Sequence, residues 1–197
     1  MLKGCGRSNI DFELVLRDNQ LKKIPDVSIF KVLLVFDVSF NEISSLSGLS
    51  KVSNTLKELY VSKNEVTKIE EIEHFHQLQI LELGSNKLRA FNSLHLFIPD
   101  LKNLHLNCAQ YQTLQLCNKQ NKLMERKRDK RTLLEDLWLN DNQITSLDSI
   151  AEAVASSREN LTTIYLERNP CANSPNYIST LRQIFPKIQQ IDSEIFG

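Results

Sequence analysis

Asparagine recurs along this chain at a nearly fixed interval, with leucine-like residues at fixed offsets around it. Each copy places apolar residues eight, five and three positions before the asparagine and another two after it. The copies read Leu33, Phe36, Val38, Asn41, Ile43; Leu56, Leu59, Val61, Asn64, Val66; and Leu78, Leu81, Leu83, Asn86, Leu88. The pattern returns as Leu134, Leu137, Leu139, Asn142, Ile144, and then as Leu161, Ile164, Leu166, Asn169. A partial copy opens the array with Leu14, Leu16, Asn19 and Leu21, and a weak one, Leu101, Leu104, Leu106, has Ala109 in the asparagine's place. Asparagines 19, 41, 64 and 86 are separated by 22, 23 and 22 residues. A period this regular restricts the chain to stacked copies of one small unit.

That unit is the leucine-rich repeat. The residues around LxL form a short strand whose leucines point inward. The chain then turns, and an asparagine side chain, both donor and acceptor, satisfies backbone groups the turn leaves unpaired. Later apolar residues such as Ile43, Leu46 and Leu49 return the chain to the same core. One coil cannot bury its own apolar face, so stability comes from stacking. The expected fold is an α/β solenoid with a short parallel strand per ~22-residue coil on the concave face, a helical or 3-10 convex side and a C-terminal capping helix.

The array divides into an N-terminal block over 10–106, an irregular basic insertion or degenerate repeat over 107–132, a C-terminal block over 133–169 and a cap over 170–197. Lys119 to Arg131 carries seven Lys or Arg against two acids. It reads as a solvated insertion, an anion-binding or nuclear-import patch, or the join left by lost coils. Tyr177 to Phe185 has helical apolar spacing, and Pro186 ends it. Only about ten residues precede the first coil, too few for an obvious cap.

Composition excludes more than it assigns. Lys plus Arg and Asp plus Glu are 24 each, so global charge predicts neither nucleic acid nor an anionic membrane as partner. The most apolar run, Ile29 to Val38, is broken by Lys31 and Asp37 and is too short to span a bilayer. Cys5, Cys108, Cys117 and Cys171 lack metal spacing and read as reduced thiols of an intracellular protein. Five glycines form no phosphate loop, and no Ser or Cys has a nucleophile's context. His74 and His76 flank Phe75 and read as exposed neighbours of a core residue. No catalytic residue, cofactor, metal or small-molecule substrate is expected.

Outward strand positions offer a binding face. They are Glu13, Val15, Arg17; Val35, Asp37, Ser39; Glu58, Tyr60, Ser62; Ile80, Glu82, Gly84; Asn103, His105, Asn107; Asp136, Trp138, Asn140; and Thr163, Tyr165, Glu167. Six are acids and one is a base, which favours a protein partner with a basic patch. The middle column, Val15, Asp37, Tyr60, Glu82, His105, Trp138 and Tyr165, is rich in the aromatics that interfaces use.

The words LLVFDVSFNEI, LKELYVSKNEV, LQILELGSNKL, LEDLWLNDNQI and LTTIYLERNP, with the closing FPKIQQID, resemble the leucine-rich-repeat regulatory subunit (subunit 7) of type-1 serine/threonine protein phosphatase. The resemblance covers roughly residues 10–106 and 133–193. It implies a non-catalytic inhibitor or maturation factor, found in nucleus and cytoplasm, whose concave face holds the protein phosphatase 1 catalytic subunit. The partner-binding residues it implies are Asp37, Tyr60, Glu82, His105, Asp136, Trp138 and Tyr165. The family's array is longer, its acidic N-terminal region is absent, and coils expected between Leu106 and Leu133 are missing. Two other functions fit the repeat subclass: a structural adaptor of an axonemal or cytoskeletal complex, and a spliceosomal scaffold whose basic run touches RNA.

Overall fold

A computed structural model describes residues 12–69, 72, 74–88, 91–92, 98, 100–108, 114–115 and 133–196. The basic run Lys119–Arg131, Cys5, Cys117 and the residues before the first coil lie outside them.

Each coil contributes one strand to a single sheet: β1 (Glu13–Val15), β2 (Val35–Asp37), β3 (Glu58–Tyr60), β4 (Ile80–Glu82), β6 (Asn103–His105), β8 (Asp136–Trp138) and β9 (Thr163–Tyr165). β10 (Gln190–Ile191) continues the sheet in parallel, and β11 (Glu194–Ile195) closes it antiparallel. A second small sheet pairs β5 (Phe91–Asn92) with β7 (Leu114–Gln115). The strands are three residues long because the chain must turn out of each coil and back within about 22 residues.

Register follows the repeat without a slip. Leu14, Phe36, Leu59, Leu81, Leu104, Leu137 and Ile164 are successive partners and form the inner row. All but Leu14 are fully buried. The weak fifth coil is as regular as the others: β6 pairs with β4 on one side and directly with β8 on the other. No coil therefore separates Leu106 from Leu133 in the sheet.

The asparagines perform the role their spacing predicts. Asn64 Nδ2 donates to the carbonyls of Val61 (3.1 Å) and, one coil back, Val38 (2.9 Å), while its Oδ1 accepts from the Ile43 amide at 2.9 Å. Asn41 and Asn86 repeat this bonding with Leu16 and Leu21, and with Val61 and Val66. Asn169 bridges to Leu139 and Ile144 in the same way. Position by position, the residue before each asparagine has positive φ: Asp18, Phe40, Lys63, Ser85, Asp141 and Arg168, with Cys108 before Ala109. None is glycine, so each left-handed turn costs about 1 kcal/mol, offset by the bonds it lets the next residue make.

Convex segments are irregular, with a 3-10 turn at Leu49–Val52 and the helix α1 (Leu147–Ala153), capped by Ser146 Oγ accepting from the Asp148 amide at 3.2 Å. Ile43, Leu46 and Leu49 return to the core as expected. His74 and His76 are exposed around the fully buried Phe75. The helix α2 (Tyr177–Ile184) buries Tyr177 and Leu181 over the last coil, and Pro186 follows its end. Arg158 holds its C-terminus through the carbonyls of Gln183 and Ile184. Asp192 completes the cap: one oxygen accepts from the Glu167 amide at 2.8 Å and the Leu166 amide at 2.6 Å, the other from the Tyr177 hydroxyl at 2.7 Å. Among the described residues, no helix is long and apolar enough to cross a membrane.

Candidate protein-binding face

The strand register places Asp37, Tyr60, Glu82, His105, Trp138 and Tyr165 on consecutive strands as direct neighbours in one column. Asp136 stands in the adjacent column, next to Asn103 on one side and Thr163 on the other. All seven residues named for binding thus share the concave face. They are half-buried rather than fully exposed, because they pack on one another.

The aromatic end forms a slab. His105 and Trp138 stack with centroids 4.5 Å apart and planes at 25°, and Tyr165 lies 4.5 Å beyond, tilted by 47°. Strands about 4.8 Å apart bring flat side chains at equivalent positions into stacking distance, so the contact follows from the repeat. The Trp138 indole donates to Asp136 Oδ1 at 2.8 Å, and Asn103 Nδ2 donates to Asp136 Oδ2 at 3.1 Å. Gln190 donates to the Tyr165 hydroxyl at 2.6 Å, tying the slab to the cap. His105 Nε2 stands 3.6 Å from Asp136 Oδ2, close enough for an ion pair when protonated but too far for a hydrogen bond.

The other end is carboxylate-rich. Tyr60 donates its hydroxyl to Glu58 Oε2 at 2.8 Å, and Ser62 donates to Glu82 Oε1 at 3.0 Å. Burial, reinforced by the Glu58 bond, pushes the Tyr60 hydroxyl well above its ordinary range, so it remains a donor. Asp37 accepts from the Ser39 amide at 2.8 Å and lies 3.7 Å from Arg17 Nη1. Glu58 and Asn103, outward positions beside the middle column, hold Tyr60 and Asp136 in place. Their signal is present in the sequence, since residues i and i+2 of a strand share a face. Gly84 sits beneath Asn107, whose side-chain oxygen leaves no room for a Cβ there. Among the described residues, no cluster of His, Cys, Asp and Glu could hold a metal ion.

A curved parallel sheet with an asparagine ladder and an unbroken strip of carboxylates and rings defines a leucine-rich-repeat protein. Solved structures agree on the fold. An internalin from Listeria monocytogenes superposes with a TM-score of 0.68 at 21% identity, covering 93% of this chain and about half (48%) of its own length. The Drosophila melanogaster SNF/U2A' complex gives a TM-score of 0.51 at 24% identity, over 68% of this chain and 70% of that one. At such identities the likeness shows the fold alone.

Sequence relatives go further. The "Protein phosphatase 1 regulatory inhibitor subunit PPP1R7 homolog" of Arabidopsis thaliana is 48% identical over 272 residues, covering 94% of this chain and 73% of the relative. A second relative, "Protein phosphatase 1 regulatory subunit pprA" of Dictyostelium discoideum, is 35% identical over 60 residues, 30% of this chain and 17% of its own. No family model matches the chain. The chain belongs to the family of protein phosphatase 1 regulatory inhibitor subunits, whose names denote regulation rather than catalysis. The plant alignment is longer than this chain's 197 residues, so the relative carries segments with no counterpart here.

Proposed function

We propose that this chain is a non-catalytic regulatory subunit that binds the protein phosphatase 1 catalytic subunit on its concave face and modulates its activity, by inhibition or by assisting maturation. The contacts are assigned to Asp37, Tyr60, Glu82, His105, Asp136, Trp138 and Tyr165. The observation that carries this reading is the strip itself, in which the two ends of the array meet without a gap between His105 and Trp138. A rigid surface of that kind costs little ordering entropy on binding and provides central aromatic anchors. Family membership supplies the partner. The protein works where the phosphatase does, in nucleus and cytoplasm.

The test is calorimetric titration of the chain against the phosphatase catalytic subunit, with phosphatase activity followed in parallel. Binding with altered activity is expected. Glu82→Lys combined with Trp138→Ala should weaken it by at least a hundredfold, as loss of a central aromatic anchor and reversal of a facing charge together imply. The thermal melt of that variant should show an intact solenoid. Undiminished affinity in the double variant would place the partner on another surface.

A further inference from the structure

Five prolines punctuate the chain, and the residues before them are Ile24, Ile98, Asn169, Ser174 and Phe185. Ser174 is thus the one hydroxyl-bearing residue that a proline follows. The structure sets it apart in two further ways. Asn173, Ser174, Pro175 and Asn176 are all exposed, in a short arch between the 3-10 turn Pro170–Asn173 and α2. Ser174 itself is extended, with φ −66° and ψ 136°, the conformation that a following proline imposes. Buried Cys171 before the arch and buried Tyr177 after it pin its two ends.

The fold employs other hydroxyls. Ser53, Ser149, Thr162 and Ser179 donate theirs to the carbonyls of Ser50, Ser146, Glu135 and Asn176 at 2.8–3.1 Å. Ser174 contributes its backbone: its amide donates to the Cys171 carbonyl at 3.3 Å, and its carbonyl accepts from the Tyr177 amide at 3.1 Å. The residue stands on an open cleft shared with Thr145, Ser146, Asp148 and Thr180. That cleft lies on the flank that carries the start of α1, and no residue of the concave strip lines it.

We propose that Ser174 is a phosphorylation site for a proline-directed serine/threonine kinase. An extended Ser-Pro step enters a kinase cleft without first being straightened, which lowers the ordering cost of binding. Proline offers no N–H, so it suits an enzyme whose pocket gives the residue after the target no acceptor. Ser174 Oγ attacks the γ-phosphorus of Mg-ATP, the bond from that phosphorus to the β,γ-bridging oxygen breaks, ADP leaves, and the hydroxyl proton passes to the kinase's carboxylate base. The product carries a charge of about −2. Among the described residues no Lys or Arg lines the cleft, so the phosphate stays solvated beside Asp148 and turns this flank of the cap acidic. The mark is set without touching the concave face, and it stands whether or not that face holds a phosphatase.

The test treats the full chain with Mg-ATP and an activated mitogen-activated protein kinase, and locates the product by mass spectrometry of the intact chain and its fragments. One phosphate per chain, on Ser174, is expected. Ser174→Ala should remove it, and Ser174→Thr should restore it. Pro175→Ala keeps the hydroxyl but releases Ser174 from the extended region and adds an N–H, so incorporation should slow by about tenfold. Thermal melts show that each variant keeps the solenoid. A peptide of residues 170–180 measures what the fold costs: the folded chain should react within about tenfold of the peptide's rate, because the arch is exposed and opens locally. No incorporation into the folded chain, phosphate at another residue, or a rate indifferent to Pro175→Ala overturns the site. Rapid reaction of the peptide with none of the folded chain overturns it as well, since the fold would then shield the hydroxyl.

Discussion

Asn64 illustrates how one side chain joins two coils. Its amide satisfies the Val38 and Val61 carbonyls and the Ile43 amide, all in the interior. Asn64→Leu preserves volume but strands those three groups, and each orphaned group costs about 1–3 kcal/mol. Partial rearrangement keeps the total below the sum, so a loss of about 3 kcal/mol is expected. At a slope near 3 kcal/mol per molar urea, the unfolding midpoint should fall by about 1 M. Glu65→Ala, next in sequence but paired with Lys87 at the surface, should shift it by less than about 0.2 M, since exposed ion pairs contribute little. Spacing alone made the asparagine's role legible. The left-handed residue before it was not legible, because Asp18, Phe40, Lys63, Ser85, Asp141 and Arg168 share no chemistry that marks the position. There the ladder imposes the conformation against local preference.

At the scale of elements, the cap turns on a bond between α2 and the last turn of chain. Burial and the Asp192 carboxylate push the Tyr177 hydroxyl far above its ordinary value near 10. A group whose folded value is raised contributes stability that is intact below the unfolded value and lost as pH rises toward the folded one. The unfolded tyrosine ionises first, so stability should be level up to about pH 9 and fall above pH 10. Tyr60 adds to the same fall. Tyr177→Phe should cost about 1 kcal/mol at pH 8 and make the decline above pH 10 shallower. Urea unfolding between pH 8 and 11 reads both effects. The helix itself was legible from the apolar spacing of Tyr177, Leu181 and Phe185, and Pro186 marked its end. Glu58 and Asp136 were legible as outward acids, but their bonds to Tyr60 and Trp138 were not, because two residues sharing a strand face can turn to solvent as readily as to each other. The weak fifth coil, lacking an asparagine at Ala109, gave the fainter signal, yet its strand is regular because β4 and β8 hold it from both sides.

Over the whole molecule, stability is graded along the solenoid. The C-terminal coils are closed by α2, Asp192 and the antiparallel β11, and the inward residues of β8 and β9 are fully buried. At the other end Leu14, Leu16 and Leu21 are only partly buried, and Phe12, Val15 and Ile29 are exposed. In a stack whose coils touch only their neighbours, opening begins where the interface is smallest. Hydrogen exchange should therefore be fastest in β1 and β2 and slowest in β8 and β9. Uniform protection along the array would mean that the coils unfold as one unit.

The direct pairing of β6 with β8 has a bearing on descent. The sheet registers each strand only against its two neighbours, so a gene can lose or gain a whole coil and leave every surviving contact type in place. Change of that sort leaves folding nearly intact while sliding one set of recognition groups toward or away from the other, in increments of one strand width, about 4.8 Å. The array works as a ruler whose length is edited in whole marks. In a lineage that varies its coil number, selectivity among partners would shift by discrete jumps, without any residue of the binding face being substituted.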